Sequence, residues 1–98
     1  MSKFLVLWEG VPGIMSTDPK QRIEVLGKLM EGVKQGLDSG QTKEWGIFPG
    51  GGAGYAIVEG TAADSLKTSM MFQPYIRFTV HPVLSLKEMG EVMKSMMG

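Results

Sequence analysis

A cluster of glycines near the middle of the chain does most to limit what it can fold into. Four of the 14 glycines lie between Gly50 and Gly54, in a chain of 98 residues. Glycines at this density let the backbone turn through conformations that other residues avoid. The flanking segments, Lys43–Pro49 and Tyr55–Glu59, contain aromatic and β-branched residues typical of strands. The cluster therefore predicts a hairpin that divides the chain into two similar halves.

Each half is predicted to contain a strand, a helix and a second strand. The remaining predicted elements are strand Lys3–Glu9, a helix from Asp18 to about Ser39, a helix from Thr61 to before Pro74, strand Tyr75–His81 closed by Pro82, and a helix near residues 86–96. Capping boxes predict the three helix starts, at Asp18 with Gln21, Thr61 with Asp64, and Ser85 with Glu88. Two right-handed βαβ halves indicate a single ferredoxin-like α+β domain over residues 1–98. Its four-stranded antiparallel sheet has the strand order fourth, first, third, second, with both crossover helices on one face.

The first strand is apolar on both sides. Phe4, Val6 and Trp8 point one way, and Leu5 and Leu7 point the other. A strand of this kind is covered on both faces, but the helices of so small a domain cover only one. One set of side chains is predicted to be buried under apolar residues of the two crossover helices, Leu26, Met30, Val33 and Leu66. We therefore expect a homodimer in which two sheets pack face to face about a two-fold axis.

The charge balance and the missing cysteines exclude several classes of protein. Ten basic and ten acidic residues are scattered along the chain, and the net charge is zero. A nucleic-acid surface or a polybasic membrane patch normally needs clustered Lys and Arg, so neither partner is expected. The chain has no cysteine, which excludes disulfides and thiolate chemistry. No apolar run resembles a signal peptide or a membrane span, and the expected compartment is the cytoplasm.

The element order and two short stretches resemble a known superfamily. These stretches are Trp45-Gly46-Ile47-Phe48-Pro49, leading into the hairpin, and Phe78-Thr79-Val80-His81-Pro82-Val83-Leu84. The chain is similar to the dimeric α+β-barrel proteins, which include muconolactone isomerases and small antibiotic-biosynthesis monooxygenases. It looks most similar to the short uncharacterised bacterial members. The resemblance implies a fold and a dimer but no particular reaction, because chemistry differs between branches of such a superfamily.

Aromatic and polar side chains suggest a ligand pocket. The candidate lining residues are Trp8, Trp45, Tyr55, Tyr75, Arg77 and His81. His81 is the only histidine and is the best candidate for a general base, while Arg77 has the geometry to hold a carboxylate. A lone histidine at a strand end is more often structural, so these two remain candidates only. No flavin, haem or nicotinamide motif is present, and no cofactor is expected.

Other chemical interpretations are weaker. The Gly50–Gly54 loop leads into a strand and not a helix, so a plain hairpin is favoured over a phosphate cradle. Glu9 and Glu59 fall at opposite ends of the predicted sheet, too far apart for paired-carboxylate catalysis. The methionines of the last helix suggest packing more than a copper site. One histidine without cysteine makes a zinc site improbable.

Two hypotheses remain open. The first is a small-molecule binding protein or enzyme whose pocket takes a small, partly apolar or aromatic molecule. The second is a non-catalytic dimeric module that acts in structure or sensing. The aromatic residues favour the first hypothesis, and the missing acid–base pair favours the second. The sequence does not decide whether the protein is an enzyme.

Overall fold

The computed structural model describes residues 2–98 and has the predicted βαββαβ order followed by a third helix. The elements are β1 (Ser2–Gly10), α1 (Pro19–Ser39), β2 (Thr42–Ile47), β3 (Ala53–Gly60), α2 (Ala62–Phe72), β4 (Ile76–Val83) and α3 (Leu86–Met97). The four strands form one sheet in the order β2-β3-β1-β4, with all neighbours antiparallel. The ferredoxin-like fold and the strand order are therefore confirmed.

Local capping fixes where the helices begin. The Asp18 side chain accepts a hydrogen bond from the Lys20 amide at 3.1 Å, ahead of Pro19 in the first turn of α1. The predicted capping box at this site is wrong, because the Gln21 side chain instead accepts from the Ser16 hydroxyl at 2.9 Å. At the other end, Gly40 adopts a left-handed conformation with φ of 83°, which glycine allows without strain.

The capping boxes of α2 and α3 are both confirmed. In α2 the Asp64 amide donates to Thr61 Oγ1 at 3.1 Å, and the Asp64 carboxylate accepts from the Thr61 amide at 3.0 Å. Ser85 and Glu88 repeat this reciprocal pair at the start of α3. The backbone hydrogen bonds hold the pKa of Asp64 and the pKa of Glu88 below their usual values, because they stabilise the charged carboxylates.

The last strand is longer than the sequence suggests. Pro82 does not close β4 but lies within it, opposite Phe4 of β1. Proline lacks the amide hydrogen that a central strand needs for its second neighbour. β4 is at the edge of the sheet, so this missing donor is tolerated.

The glycine cluster forms the predicted hairpin between β2 and β3. Gly51 and Gly52 have φ angles of 78° and 76°, which residues with a side chain rarely adopt. The Phe48 amide donates to the Ala53 carbonyl at 2.9 Å and closes the turn. The Gly10 amide donates to the Gly52 carbonyl at 2.8 Å, which fastens the hairpin to the end of β1.

The two faces of the sheet differ in what covers them. Phe4, Val6 and Ala56 are the buried hydrophobic side chains among residues 2–98, and they lie at the centre of the face beneath α1 and α2. On the other side, called the open face below, Leu5 is half-buried and Leu7 is 39% exposed. Directly paired residues share a face in an antiparallel sheet, so the strand pairing confirms the predicted division of β1.

Two of the three interior glycines of α1 allow close packing. A Cβ atom on Gly36 would lie 2.6 Å from Thr42 Oγ1, and one on Gly32 would lie 3.0 Å from the Phe72 ring. Gly27 has open space around its Cβ direction. Gly32 and Gly36 therefore bring α1 close to α2 and to β2, and Gly27 has no such role.

The apolar stripes of the crossover helices do not all face the sheet. Leu26, Met30 and Val33 of α1 face it as predicted, but Ile23 is 69% exposed. The expectation that Leu66 covers β1 is wrong, because Leu66 is 62% exposed. The side of α2 that faces the sheet carries Ser65, Thr68 and Ser69 as well as Phe72. Hydroxyl groups thus take the place that the sequence pattern assigns to apolar side chains.

The third helix buries none of its side chains against the rest of the described structure. All 12 residues of α3 are exposed, including its apolar stripe, Leu86, Met89, Val92, Met93, Met96 and Met97. The molecule measures 62 × 25 × 22 Å and has a radius of gyration of 16.3 Å, against about 13 Å for a compact domain of this length. None of the helices within residues 2–98 is long and apolar enough to cross a membrane.

Candidate functional site: a cavity between the helices and the sheet

A cavity of about 540 Å³ separates α1 and α2 from the sheet. Its floor is the helix-covered face of the sheet, including Val6, Trp8 and Phe78. Leu29 and Val33 of α1 form part of its wall. Ligand pockets in proteins have volumes of about 300–1,000 Å³, so this cavity has the size of a small-molecule site.

The two tryptophans meet on the floor of the cavity. Trp8 of β1 and Trp45 of β2 stack with ring centroids 5.4 Å apart and ring planes 9° from parallel. β3 runs between these two strands and places Gly54 opposite Trp8 and Ala56 opposite Trp45. A Cβ atom on Gly54 would collide with the Trp8 indole ring. The smallest residues of β3 therefore let the indoles meet over the middle strand.

The indole nitrogen of Trp8 is the unusual polar atom of this site. Trp8 Nε1 is buried and has no hydrogen-bond partner among residues 2–98. An indole N–H is a donor only, and burying a donor without an acceptor costs free energy of about 1–3 kcal/mol. Because Trp8 Nε1 has almost no accessible surface, the protein itself encloses this donor, and it does not open into the cavity.

Hydroxyl groups on α2 make one wall of the cavity polar. Ser65, Thr68 and Ser69 follow helical spacing and all line the cavity. The Ser69 hydroxyl donates to the Ser65 carbonyl at 3.0 Å, so its oxygen still has lone pairs free to accept. This stripe of small polar residues is visible in the sequence, but so is an apolar stripe on the same helix, Ala63, Leu66 and Met70, and the apolar stripe was the one predicted to face the sheet.

The structure divides the predicted pocket residues between the two faces of the sheet. Trp8 and Trp45 lie together on the helix-covered face, whereas Tyr55, Arg77 and His81 lie on the open face. Tyr75 belongs to neither group, since it occupies the turn before β4, where its carbonyl accepts from the Val11 amide at 2.9 Å. No single site among the described residues holds all the candidates.

On the open face, polar side chains pair with one another. Arg77 Nη1 lies 3.4 Å from Glu9 Oε1, and both side chains are largely exposed. The Tyr55 hydroxyl donates to Glu44 Oε2 at 2.6 Å, and this hydrogen bond to a carboxylate raises the pKa of Tyr55. His81 is exposed and lies opposite Leu5.

The two carboxylates considered for catalysis lie far apart. Glu59 pairs in register with Lys3, whereas Glu9 lies at the other end of β1. Lys3 and Glu9 are six positions apart along the strand, a distance of about 20 Å. Glu59 instead forms an ion pair with Lys43 at 3.2 Å. The sequence interpretation that excluded a carboxylate pair agrees with this arrangement.

Comparison with known proteins gives a family but no activity. No curated protein matches the sequence. Residues 2–97 match a family described as a domain of unknown function, DUF3303. Because the match spans nearly the whole chain, the chain belongs to the DUF3303 family.

Proposed function

We propose that this protein binds a small, partly apolar or aromatic molecule in the cavity between the helices and the sheet. The observation that carries the proposal is the stacked pair of Trp8 and Trp45 on the floor of a cavity of about 540 Å³. A core without a ligand site normally packs to the density of an organic crystal and leaves few voids larger than a water molecule. Apolar walls with a few polar groups are also typical of small-molecule sites.

No reaction is part of this proposal. Arg77 and His81, the candidate catalytic residues, lie across the sheet from the tryptophans. The residues on the cavity wall include no histidine, lysine or arginine within the described range 2–98. The proposed kinship with muconolactone isomerases and antibiotic-biosynthesis monooxygenases rests on the ferredoxin-like fold, and it carries no catalytic residue onto this chain.

Filling the cavity tests the proposal. Val33→Phe adds a ring to the α1 wall, whereas Leu37→Phe makes a matched change on the same helix away from the cavity. A library of aromatic fragments is screened by saturation-transfer NMR against wild type and both variants. We expect fragments that bind wild type and Leu37→Phe but lose binding in Val33→Phe. A library without hits, or equal binding by all three proteins, would contradict the proposal.

We also propose that the protein forms a homodimer through the open face. The accessible surface is 7272 Å², whereas a compact monomer of 10.7 kDa exposes about 5,500 Å². The chain thus exposes over 1,500 Å² more surface than such a monomer, which is more than the ~800 Å² that each partner buries in a standard interface. The open face alone, four strands wide, offers about 500 Å² from its strand spacing and length.

The arrangement of charge on the open face suits a second copy of the chain. Leu5, Leu7 and Ile57 form its centre, since Leu5 pairs directly with Ile57. The ion pair of Arg77 with Glu9 lies toward one end, and that of Lys43 with Glu59 lies toward the other. An apolar centre with a polar rim is the usual anatomy of an interface. A two-fold axis through the centre brings this surface onto its own copy.

A single charge at the centre of the open face tests the dimer. Leu7→Lys places an ammonium group in the proposed interface, and Ile23→Lys makes the same change on an exposed α1 residue. Light scattering should give twice 10.7 kDa for wild type and Ile23→Lys, and about 10.7 kDa for Leu7→Lys. A monomeric wild type would refute the dimer.

A further inference from the structure

The cavity is aromatic at one end. Trp8 stacks on Trp45, and the strand register places Phe78 of β4 directly opposite Trp8. Phe72, the last residue of α2, packs edge-to-face on Phe78 with ring centroids 5.7 Å apart. All four rings line the cavity. This end, called the aromatic end below, offers flat apolar surfaces on which a ring of a ligand can stack or pack edge-to-face.

The other end of the cavity carries hydroxyl groups. Thr68 and Ser65 lie about one and two turns before Phe72 on α2, so Ser65 is about 10 Å from the aromatic end along the helix axis. Thr42 begins β2 and lies near the start of α2, four residues of β3 away from the position opposite Trp8. The three hydroxyl residues all line the cavity. The cavity is therefore polarised along its length, with an aromatic end and a hydroxyl end.

The hydroxyl groups of Ser65, Thr68 and Thr42 are unpaired and accessible. Within residues 2–98 none of them shares a hydrogen bond with another group of the chain. The three residues are half-buried, yet Trp8 Nε1 is the enclosed side-chain polar atom without a partner in this part of the chain, so these hydroxyl oxygens keep accessible surface. A hydroxyl donates one hydrogen bond and accepts others, so each can meet either kind of group on a ligand.

A carboxylate lies near the hydroxyl end. A Cβ atom on Gly60 would be 2.9 Å from Asp64 Oδ2, which puts the carboxylate directly over Gly60. Gly60 pairs with Ser2, and alternation along β1 places this pair on the same face as the buried Phe4, beneath the helices. No lysine, arginine or histidine lines the cavity within residues 2–98. An anionic head group here would meet a like charge and would lose its water without gaining a cationic partner, which is unfavourable.

We propose that the ligand is an amphiphile with a flat apolar ring at one end and an alcohol or carboxamide head group at the other. The ring lies at the aromatic end, and the head group hydrogen-bonds to the hydroxyls of Ser65 and Thr68. An alcohol or a carboxamide both donates and accepts, as these hydroxyls do, whereas an ammonium group only donates and a carboxylate only accepts. This inference rests on the proposed function, because it specifies the chemistry and the orientation of the ligand in the same cavity.

Two ligands of one shape separate the head group from the ring. 2-(2-Naphthyl)ethanol carries a hydroxyl group where 2-propylnaphthalene carries a methyl group, and NMR titration gives a Kd for each. Thr68→Val removes a hydroxyl and keeps the shape of the side chain. It should weaken binding of the alcohol about fivefold, the usual net effect of one hydrogen bond, without weakening binding of the hydrocarbon.

The matched control is Thr79→Val, which makes the same change on the open face, where Thr79 pairs with Leu7. It should change neither Kd. Equal effects of Thr68→Val on the two ligands would overturn this inference while leaving the cavity as a binding site. If neither ligand binds wild type, the proposed function fails with it.

Further comparisons keep the test decisive. Ser65→Ala removes the neighbouring hydroxyl and should also weaken only the alcohol, and it replaces Thr68→Val if circular dichroism shows that variant to be unfolded. Thr68→Ser keeps the hydroxyl and should return the Kd of the alcohol to near the wild-type value. 2-Naphthylacetate, an anion of similar size, should bind wild type at least about tenfold more weakly than the alcohol at pH 7. Equal or tighter binding of the anion would overturn the proposed head group.

Discussion

At the scale of single residues, the smallest side chains decide where the largest ones meet. Trp8 and Trp45 come from strands that are not neighbours, and they stack only because Gly54 and Ala56 leave space above β3. The sequence showed both tryptophans as pocket candidates, but it did not show that they touch. Their contact depends on the register between three strands, which no local pattern encodes.

The glycines of α1 give a stability prediction with an internal control. Gly27→Ala should raise the free energy of unfolding by about 0.5–1 kcal/mol, because alanine favours the helix and nothing lies near the new methyl group. Gly36→Ala should give no gain or a loss, because its methyl group meets Thr42 Oγ1. Urea denaturation measures both. A larger gain for Gly36→Ala than for Gly27→Ala would contradict the packing of α1 on β2.

The capping carboxylates predict how stability depends on pH. Asp64 and Glu88 have folded-state pKa values below their unfolded values of about 4. Their contribution to the free energy of unfolding is therefore fully present above about pH 4. It is lost as the pH falls through the lower folded-state values. We compare wild type with the double variant Asp64→Asn/Glu88→Gln by urea denaturation between about pH 6 and pH 2.5. The double variant should lose less stability than wild type as the pH falls. An identical pH dependence would show that the caps do not form in solution.

At the scale of elements, the sequence predicted the helix boundaries better than the helix orientation. Helix starts follow from local caps such as Thr61 with Asp64, which operate within one turn and are visible in the sequence. The buried side of α2 could not be read this way, because the helix carries an apolar stripe and a hydroxyl stripe. The structure shows which stripe faces the sheet, because the hydroxyl stripe lines the cavity. Periodicity finds a helix with two distinct sides but does not say which side meets the sheet.

The orientation of α2 can be tested by mutation. Phe72 packs edge-to-face on Phe78 with ring centroids 5.7 Å apart, whereas Leu66 is exposed. Phe72→Ala should lower the free energy of unfolding by about 2–3 kcal/mol, and Leu66→Ala by less than about 1 kcal/mol. Thermal or urea denaturation measures both changes. The reverse order would show that α2 presents its apolar stripe to the sheet.

At the scale of the whole molecule, the described residues expose more surface than a compact monomer of this size usually does. The prediction of a second cover for β1 came from Leu5 and Leu7 alone, and the structure adds the exposed apolar stripe of α3. α3 follows β4, which lies at the edge of the sheet, and we propose that its apolar stripe packs on the partner in the dimer. Its length of about 18 Å would add to the area buried by the open face.

The contribution of α3 to dimer formation can be measured separately from that of the open face. Met93→Lys puts a charge into the apolar stripe of α3, and Glu91→Lys places the same residue outside that stripe on the same helix. We expect Met93→Lys to raise the dimer Kd at least about tenfold relative to Glu91→Lys, because the ammonium group must be desolvated. Analytical ultracentrifugation over a dilution series measures this. Equal dimer Kd values for the two variants would show that α3 is not part of the interface.

The most direct test of the cavity as the ligand site is an NMR titration that observes both faces of the sheet at once. Methyl 2-naphthoate is added to the labelled protein, and the indole signals of Trp8 and Trp45 are followed together with the ring signals of His81. Our account predicts that both indole signals shift along one saturation curve while the His81 signals stay in place, because the sheet separates them. Shifts of His81 with unmoved indole signals would place the ligand on the open face and contradict the account.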